Sequence, residues 1–211
     1  MMDRRRALMM VTSGVTGTKI KDIPVGSEFR MAEGGYAYIF LGIINNTAWV
    51  LRKNVITGTA IMRNDGVMDY EGSSIDTYLT TTWYNTFSDS QKAIMQETSQ
   101  TFNFYNGSAL ASKTIQRKIF IPSYPQLYSD TNGILSALKT YYNTTNESTA
   151  RAATYRYWTC SARSSSSMYG VNTNGAVQYP SLTEANYYRR PVVSINKDTP
   201  VALVNGYYIP A

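Results

Sequence analysis

The side chains that most often carry out catalysis are nearly missing from this sequence of 211 residues. It contains no histidine and a single cysteine, Cys160. A nucleophilic serine or cysteine needs a neighbouring base, which is usually histidine, and an ordinary zinc site is built from several Cys and His ligands. The composition therefore excludes Ser-His and Cys-His catalytic pairs, ordinary zinc sites and a disulfide bond within the chain.

The carboxylates are the remaining candidates for catalysis. Glycoside hydrolysis requires two facing carboxyl groups, but no spacing singles out a pair. The carboxylates considered are Asp65, Asp69, Glu71, Asp76 and Glu184. We therefore predict that the protein is not an enzyme, with no catalytic residue, metal site or cofactor. Oxygen ligands for calcium could still converge from separate loops, and the sequence leaves that question open.

In contrast, side chains suited to ligand binding are concentrated in the segment from Tyr155 to Ile195. The sequence reads RSSSS from Arg163 to Ser167 and SLTEANYY from Ser181 to Tyr188. Neither run has a period that would bury one face. Tyrosine supplies rigid amphipathic contact area and serine and asparagine supply adaptable hydrogen bonds, as in antibody contact surfaces. The segment thus predicts an exposed ligand-binding surface.

The predicted contacts are the polar and aromatic side chains of these loops, with tyrosine and arginine as the energetic anchors. They are Tyr155, Tyr157, Arg163, Ser165, Ser166, Tyr169, Tyr179, Thr183, Asn186, Tyr187 and Tyr188. For each tyrosine the alternative interpretation is packing within the sheet. Cys160 is interpreted as a small side chain in or beside this surface.

The predicted strands should form the scaffold that positions this surface. Asn174-Gly175 lies between alternating segments and predicts a hairpin, with positive φ at both turn residues. Tyr36–Ile44 is apolar on both faces, which is typical of a central strand, and Asn45-Asn46 should turn it into a partner strand over Thr47–Lys53. Further strands are predicted at four places. They are Ser27–Met31, Ile56–Met62 (a weaker candidate), Thr114–Ile121 and Val201–Val204.

Helical patterns fill much of the middle of the chain. Apolar residues at three-to-four spacing predict one helix from Ser74 towards Phe87, with Trp83 in the core. Ser88 to Gln91 is a capping-box pattern that should start a second, and Ile134–Tyr142 has the spacing of a third. Thr101–Leu110 and Asn143–Thr149 are predicted to be loops. The order of elements indicates one α+β domain with two or three short helices.

The net charge and the apolar stretches of the sequence indicate which classes of partner to expect. The net charge is +6, but Arg4-Arg5-Arg6 is the only basic triplet, so nucleic acid is not expected as a partner. No stretch approaches the ~20 apolar residues of a membrane span, and the apolar run at 7–11 is too short for a signal peptide. We expect residues 1–19 to be an attachment arm and linker, and residues 20–211 to be the ligand-binding domain. The alternative for the arm is a disordered terminus.

Several short motifs lie in both halves of the chain. In the C-terminal half they are W-T-x-S at 158–161, N-G at 174–175 and R-P-V at 190–192. In the N-terminal half they are KDIPVGSEF at 21–29, WVLRKN at 49–54 and YEGSSIDTYL at 70–79. Together they resemble a domain of uncharacterised function from gut bacteria and their phages, related to the C-type lectin and formylglycine-generating-enzyme fold. The resemblance covers roughly Ile20 to Ile195. The opening MDRRRALM is similar to that of tail-associated proteins of phages infecting Firmicutes.

This resemblance implies a C-type-lectin-like fold and a displayed binding surface. Variable proteins of diversity-generating retroelements and phage tail receptor-binding proteins have such a surface. The implied function is a phage virion adhesin, at a tail or fibre tip, that binds a protein or glycan on the host cell. It would be a homo-oligomer, with a trimer favoured, joined to other virion proteins through residues 1–19. A structural virion protein without a dedicated ligand is the alternative. Formylglycine-generating enzymes use a cysteine pair, so the single Cys160 does not carry over their activity.

Overall fold

The computed structural model describes residues 17–63 and 65–211, and these residues form a mixed α+β structure. They contain twelve strands in three sheets. The strands are β1 (Glu28–Arg30), β2 (Ala37–Ile44), β3 (Thr47–Arg52), β4 (Thr98–Tyr105), β5 (Leu110–Arg117), β6 (Ile119–Phe120), β7 (Tyr157–Ala162), β8 (Met168–Val171), β9 (Val177–Gln178), β10 (Val192–Asn196), β11 (Val201–Val204) and β12 (Tyr207–Pro210). The α+β class predicted from the order of elements is confirmed.

The largest sheet has seven strands in the order β11-β12-β1-β2-β3-β10-β6. Its neighbours are antiparallel except for β1 and β12, which run parallel. The predicted hairpin of β2 and β3 is confirmed, with Asn45 and Asn46 at φ of 49° and 61°. Asparagine tolerates this left-handed conformation better than most residues, so the turn is determined locally. Every residue of β3 is buried, as expected of a central strand.

Five α-helices of five to eight residues are present in the described part of the chain, more than the two or three predicted. They are α1 (Ser74–Tyr78), α2 (Asp89–Ile94), α3 (Tyr124–Tyr128), α4 (Ile134–Tyr141) and α5 (Glu147–Arg151). The predicted capping box is present at the start of α2, where Ser88 and Gln91 bond each other's backbone N–H groups. α3 and α5 escaped prediction because each is little more than one turn, too short to show a hydrophobic period.

The predicted helix after Ser74 begins as expected but does not continue as a regular α-helix. Ser73 caps α1 by accepting a hydrogen bond from the backbone of Asp76. The chain then passes through a π-helical turn, Leu79–Trp83, and a 3-10 turn, Tyr84–Thr86. Trp83 is buried, so its predicted place in the core is confirmed.

Three other local predictions are wrong. Thr101–Leu110 was expected to be a loop, but most of it belongs to the hairpin of β4 and β5. Ile56–Met62 is not a strand; it contributes a single bridge between Ile56 and Arg189. α5 lies partly within the polar stretch Asn143–Thr149, because Asn146 caps it by accepting from the backbone N–H of Thr149.

The remaining sheet contains β7, β8 and β9 and holds the Ser/Tyr-rich segment. The side chains of β7 are all buried. Trp158 in this strand donates from its indole N–H to the carbonyl of Ala60, at 2.7 Å. This bond fastens the irregular segment 55–62 to the sheet. The side chain of Cys160 is also fully buried, which places it in the core rather than beside a surface.

The predicted arm falls almost entirely outside the described residues. Only its last part can be placed, where the carbonyl of Thr18 accepts from the backbone of Val201 and Lys19 bridges to Pro200. Residues 18 and 19 therefore join the folded domain. Within 17–63 and 65–211, no helix combines the length and the apolar character that crossing a bilayer requires.

Candidate ligand-binding surface

Two hydroxyl groups of β7 bond to the backbone of two tyrosines from other elements. Thr159 and Ser161 lie two residues apart, between Trp158 and Ala162, where the pairing of β7 with β8 is irregular. Thr159 Oγ1 donates to the carbonyl of Tyr169 at 2.9 Å, and the backbone N–H of Tyr124 donates to Ser161 Oγ at 3.0 Å. Thr159 and Ser161 are buried, whereas Tyr124 and Tyr169 are partly exposed, so both bonds lie at the edge of the core. The T-x-S part of the W-T-x-S motif therefore positions Tyr169 and Tyr124.

These two tyrosines lie at the centre of a row of four rings in contact, three of them stacked and the fourth edge to face, here called the tyrosine ladder: Tyr128, Tyr124, Tyr169 and Tyr179. The centroids of Tyr124 and Tyr169 are 3.9 Å apart and their planes differ by 17°. Tyr128 stacks on the outer side of Tyr124 at 4.7 Å. Tyr179 meets Tyr169 edge to face at 5.8 Å and is 50% exposed. The other three rings are partly exposed.

A guanidinium group lies against the ring at each end of the ladder. Arg163 is exposed and its guanidinium carbon lies 4.0 Å from the ring centroid of Tyr179. Arg151 is buried and lies 4.1 Å from the ring centroid of Tyr128. Both distances are within the range of a cation–π contact. The ladder thus combines aromatic rings with one exposed cation. Burial raises the pKa of the Tyr169 hydroxyl above its ordinary value.

The loop after β8 supports the Tyr128 end of the ladder. The carbonyl of Gly175 accepts from Tyr128 Oη at 3.1 Å and from Arg151 Nε at 3.2 Å. A Cβ atom at Gly175 would lie 1.9 Å from the carbonyl oxygen of Ser148, so no other residue fits there without backbone movement. The predicted hairpin exists, but its connection runs from 172 to 176 and only Gly175 of the Asn-Gly pair has positive φ.

The structure places most of the predicted contact residues on the surface. Tyr169 is partly exposed and Tyr179 and Arg163 are exposed, and these three belong to the ladder or flank it. Four others are exposed in the loops that follow β7 and β9. They are Ser165, Ser166, Thr183 and Asn186.

Two predicted contacts are wrong because their side chains are buried. Tyr157 is 0% exposed; its hydroxyl donates to the carbonyl of Arg151 and accepts from the guanidinium of Arg190. Tyr187 is 2% exposed and packs against Trp158, with ring centroids 4.8 Å apart. For both, the alternative interpretation of the tyrosines, packing within the fold, is the right one.

Tyr155 and Tyr188 form a separate pair. Their rings stack at 4.4 Å, with Tyr155 46% exposed and Tyr188 partly exposed. A parallel bridge between Tyr157 and Tyr188 fixes the backbone beneath them. No ring contact joins this pair to the ladder. The predicted surface is therefore divided into two aromatic groups.

Sequence reasoning missed Tyr124, Tyr128 and Arg151, which lie before the Ser/Tyr-rich segment. One signal could have found the tyrosines: they are four residues apart in SYPQLY, a spacing that puts two side chains on one face of a helix. Their stacking on Tyr169 is a tertiary contact between α3 and β8 that no local pattern contains.

Cys160 and three of the carboxylates considered for catalysis have structural environments. Burial raises the pKa of the Cys160 thiol to about 12, which disfavours the thiolate form in which cysteine acts as a nucleophile. Lys113 Nζ lies 2.6 Å from Asp69 and 2.8 Å from Glu71. Arg117 holds the buried carboxylate of Asp76 through two bonds, of 2.9 and 2.8 Å. These contacts are structural ion pairs on the elements around β5.

Comparison with known proteins gives a family but no function. No curated protein matches the chain, and no solved structure matches it. A family described as a domain of unknown function, DUF6273, matches residues 45–197. The matched region runs from the β2–β3 turn to the end of β10 and includes every residue of the ladder. The chain therefore belongs to this family of domains of unknown function.

Proposed function

We propose that this protein is a phage virion adhesin, carried at a tail or fibre tip, whose tyrosine ladder binds a protein or glycan on the host cell surface. The motifs shared with phage and gut-bacterial domains support the virion setting. The mixed, mostly antiparallel sheets and short helices are compatible with the C-type-lectin-like fold that those motifs imply.

The observation that carries the proposal is the tyrosine ladder itself. Large aromatic side chains on a surface leave apolar area in water, which is unfavourable unless a partner covers it. Because the ring faces are largely covered by neighbouring rings and by two arginines, the four adjacent rings present mainly their edges, which can pack against apolar groups of a sugar or of a protein. Their hydroxyls and the Arg163 guanidinium add directional hydrogen bonds. Tyrosine and arginine are also the residue types that dominate binding energy at interfaces.

The scaffold beneath the ladder suits this function, because it is rigid where the ladder must be placed and permissive elsewhere. The hydroxyl of Thr159 donates to the backbone of Tyr169 and that of Ser161 accepts from the backbone of Tyr124, which fixes the backbone that carries the two central rings. The exposed Ser165, Ser166, Thr183 and Asn186 can change without disturbing the core, since loops on a fixed scaffold tolerate substitution. One small surface binds weakly, so several copies on a particle, in a trimer for example, would supply avidity.

The test is binding of the fluorescently labelled full chain to intact cells of a panel of gut bacteria. We expect one or more species to bind the protein, and the double variant Tyr169→Ala, Tyr179→Ala to bind at least about tenfold more weakly, as expected when two anchor residues are lost. Tyr36→Ala is the matched control, since Tyr36 is 66% exposed and lies outside the ladder. Equal binding by the double variant and the control would contradict the proposal. Stable incorporation into particles without binding to any cell would favour a structural virion protein.

A further inference from the structure

The tyrosine rings are the readily oxidised groups that this protein exposes to water. Cysteine and tryptophan also lose a single electron readily, but here they are buried. Cys160, Trp49 and Trp158 are 0% exposed and Trp83 is 5% exposed. The sequence has no further cysteine or tryptophan, but it has 18 tyrosines. A one-electron oxidant in solution therefore meets tyrosine first.

Tyr124 and Tyr169, at the centre of the tyrosine ladder, are in closer ring contact than any other tyrosines of residues 17–63 and 65–211. Their centroids are 3.9 Å apart and their planes differ by 17°. Aromatic pairs usually keep their centroids about 4.5–7 Å apart, in an offset or edge-to-face arrangement. This pair is therefore nearly face to face, and the carbons of the two rings are in van der Waals contact.

Two other pairs of near-parallel tyrosines provide a comparison. Tyr155 and Tyr188 stack at 4.4 Å, apart from the ladder. Tyr128 stacks on Tyr124 at 4.7 Å within α3, and its hydroxyl donates to the carbonyl of Gly175. Both pairs have the wider spacing, so a reaction that depends on ring contact should favour the central pair of the ladder.

The arginines at the two ends of the ladder also direct oxidation to its centre. A ring becomes positively charged when it loses an electron, and a cation beside it opposes that loss. The guanidinium carbons of Arg163 and Arg151 lie 4.0 and 4.1 Å from the ring centroids of Tyr179 and Tyr128. Among the residues that the structure describes, no guanidinium or ammonium group lies over either central ring. The central rings are therefore the easier ones to oxidise.

We propose that Tyr124 and Tyr169 are the site of an oxidative cross-link, a carbon–carbon bond between their rings produced by a peroxidase with hydrogen peroxide. Each phenol loses one electron to the oxidant and its hydroxyl proton to water, since both side chains are partly exposed. The two radicals form a bond between the ring carbons next to their C–O groups, and the proton from each of these carbons passes through water to the phenol oxygen. One hydrogen peroxide accepts the two electrons and two protons and becomes two water molecules.

The new bond ties α3 to β8 and closes a loop between residues 124 and 169. A covalent link within a chain restricts its unfolded state, so the cross-linked protein should have a higher melting temperature than the untreated protein. The inference needs only the stacked pair of rings, and it is independent of the proposed adhesin function.

Treatment of the dilute full chain with a peroxidase and hydrogen peroxide, followed by mass spectrometry, tests the proposal. We expect a monomer that has lost two hydrogen atoms. After trypsin digestion the peptides 119–139 and 164–189 should be joined, with the link at Tyr124 and Tyr169. A link between Tyr155 and Tyr188 without this one, links between chains only, or no reaction of tyrosine would each overturn the proposal.

Variants then assign the two rings. Tyr124→Phe and Tyr169→Phe keep an aromatic ring in the stack but have no phenol to oxidise, so each should abolish the joined peptides. Tyr155→Phe is the matched control, since it removes a phenol from the other stacked pair, and it should give the same yield as the wild type. Circular dichroism establishes that all three variants are folded. An unchanged yield of the joined peptides in Tyr124→Phe or in Tyr169→Phe would refute the site.

Discussion

Tyr179 and Tyr187 belong to the same Ser/Tyr-rich segment, but they lie in two regions of opposite character. Tyr179 is 50% exposed at one end of the tyrosine ladder, with an arginine over its face. Tyr187 is 2% exposed, lies against Trp158 and covers Gly170, where an added Cβ would come within 2.6 Å of its ring. The same residue type therefore serves a displayed surface in one place and the core in the other.

The difference between the two regions comes from what the backbone pairs with. The carbonyl of Tyr187 accepts from the backbone N–H of Ala60, so its strand-like stretch is covered by the segment 55–62. Tyr179 follows β9, the last strand of its small sheet, and nothing comparable covers its side chain. Composition alone cannot separate these cases, because burial here is decided by a distant part of the chain.

The largest loss of stability in the buried region is expected from the substitution Arg190→Met. The Arg190 guanidinium donates to the backbone carbonyls of Arg52 in β3 and Arg151 in α5. It also donates to the hydroxyls of Tyr142 and Tyr157, so it links all four residues. Leaving buried acceptors without donors costs about 1–3 kcal/mol each, so we expect a loss of about 3–5 kcal/mol in the free energy of unfolding. Urea denaturation followed by circular dichroism measures this loss.

Arg163→Met is the matched control for that experiment. Arg163 is an exposed arginine that also lies over a tyrosine ring, and its removal should change stability by less than about 0.5 kcal/mol. A loss of similar size in both variants would show that the comparison between core and ladder is wrong. A loss confined to Arg190→Met would confirm that the R-P-V motif serves the fold rather than the ligand.

The same substitution at the two tyrosines sharpens the comparison further. Tyr187→Ser removes a buried ring and should cost about 3 kcal/mol, the usual range for large aromatic truncations in a core. Tyr179→Ser should leave the free energy of unfolding within about 0.5 kcal/mol of the wild type. Thermal and urea denaturation of both variants provide the measurement. If Tyr179→Ser were the more destabilising of the two, the ladder would be part of the core and not a binding surface.

The sequence predicts the parts of this structure whose determinants are local. The β2–β3 hairpin follows from an apolar run and two asparagines that tolerate positive φ. α2 follows from its capping box. The ladder could be predicted only in part: the loops of Arg163 and Tyr179 have a surface composition, but Tyr124, which stacks on Tyr169, belongs to α3. The burial of Tyr187 could not be foreseen, because the covering segment 55–62 has only a weak strand pattern, and no local pattern indicates which part of the chain it covers.

Among the substitutions of buried residues, the smallest expected loss of stability, and the most informative one for function, comes from Thr159→Val. Valine keeps the shape of threonine but cannot donate to the carbonyl of Tyr169, so we expect a cost of about 1 kcal/mol. Because Tyr169 is the ring on which Tyr124 and Tyr179 both rest, the variant should also weaken cell binding by several-fold. Thr159→Ser keeps the hydroxyl and should restore most of the binding.

This pair of variants distinguishes positioning of the ladder from general stability. If the Thr159 hydroxyl served stability alone, Thr159→Val would lower the free energy of unfolding, as a substitution at another buried position of β7 would. The affinity of the folded protein for cells would then be unchanged. Binding should therefore be measured at a temperature where both variants are fully folded. If Thr159→Val then binds as well as Thr159→Ser, the β7 hydroxyl does not hold the ladder in its binding geometry, and the link between the W-T-x-S motif and recognition fails.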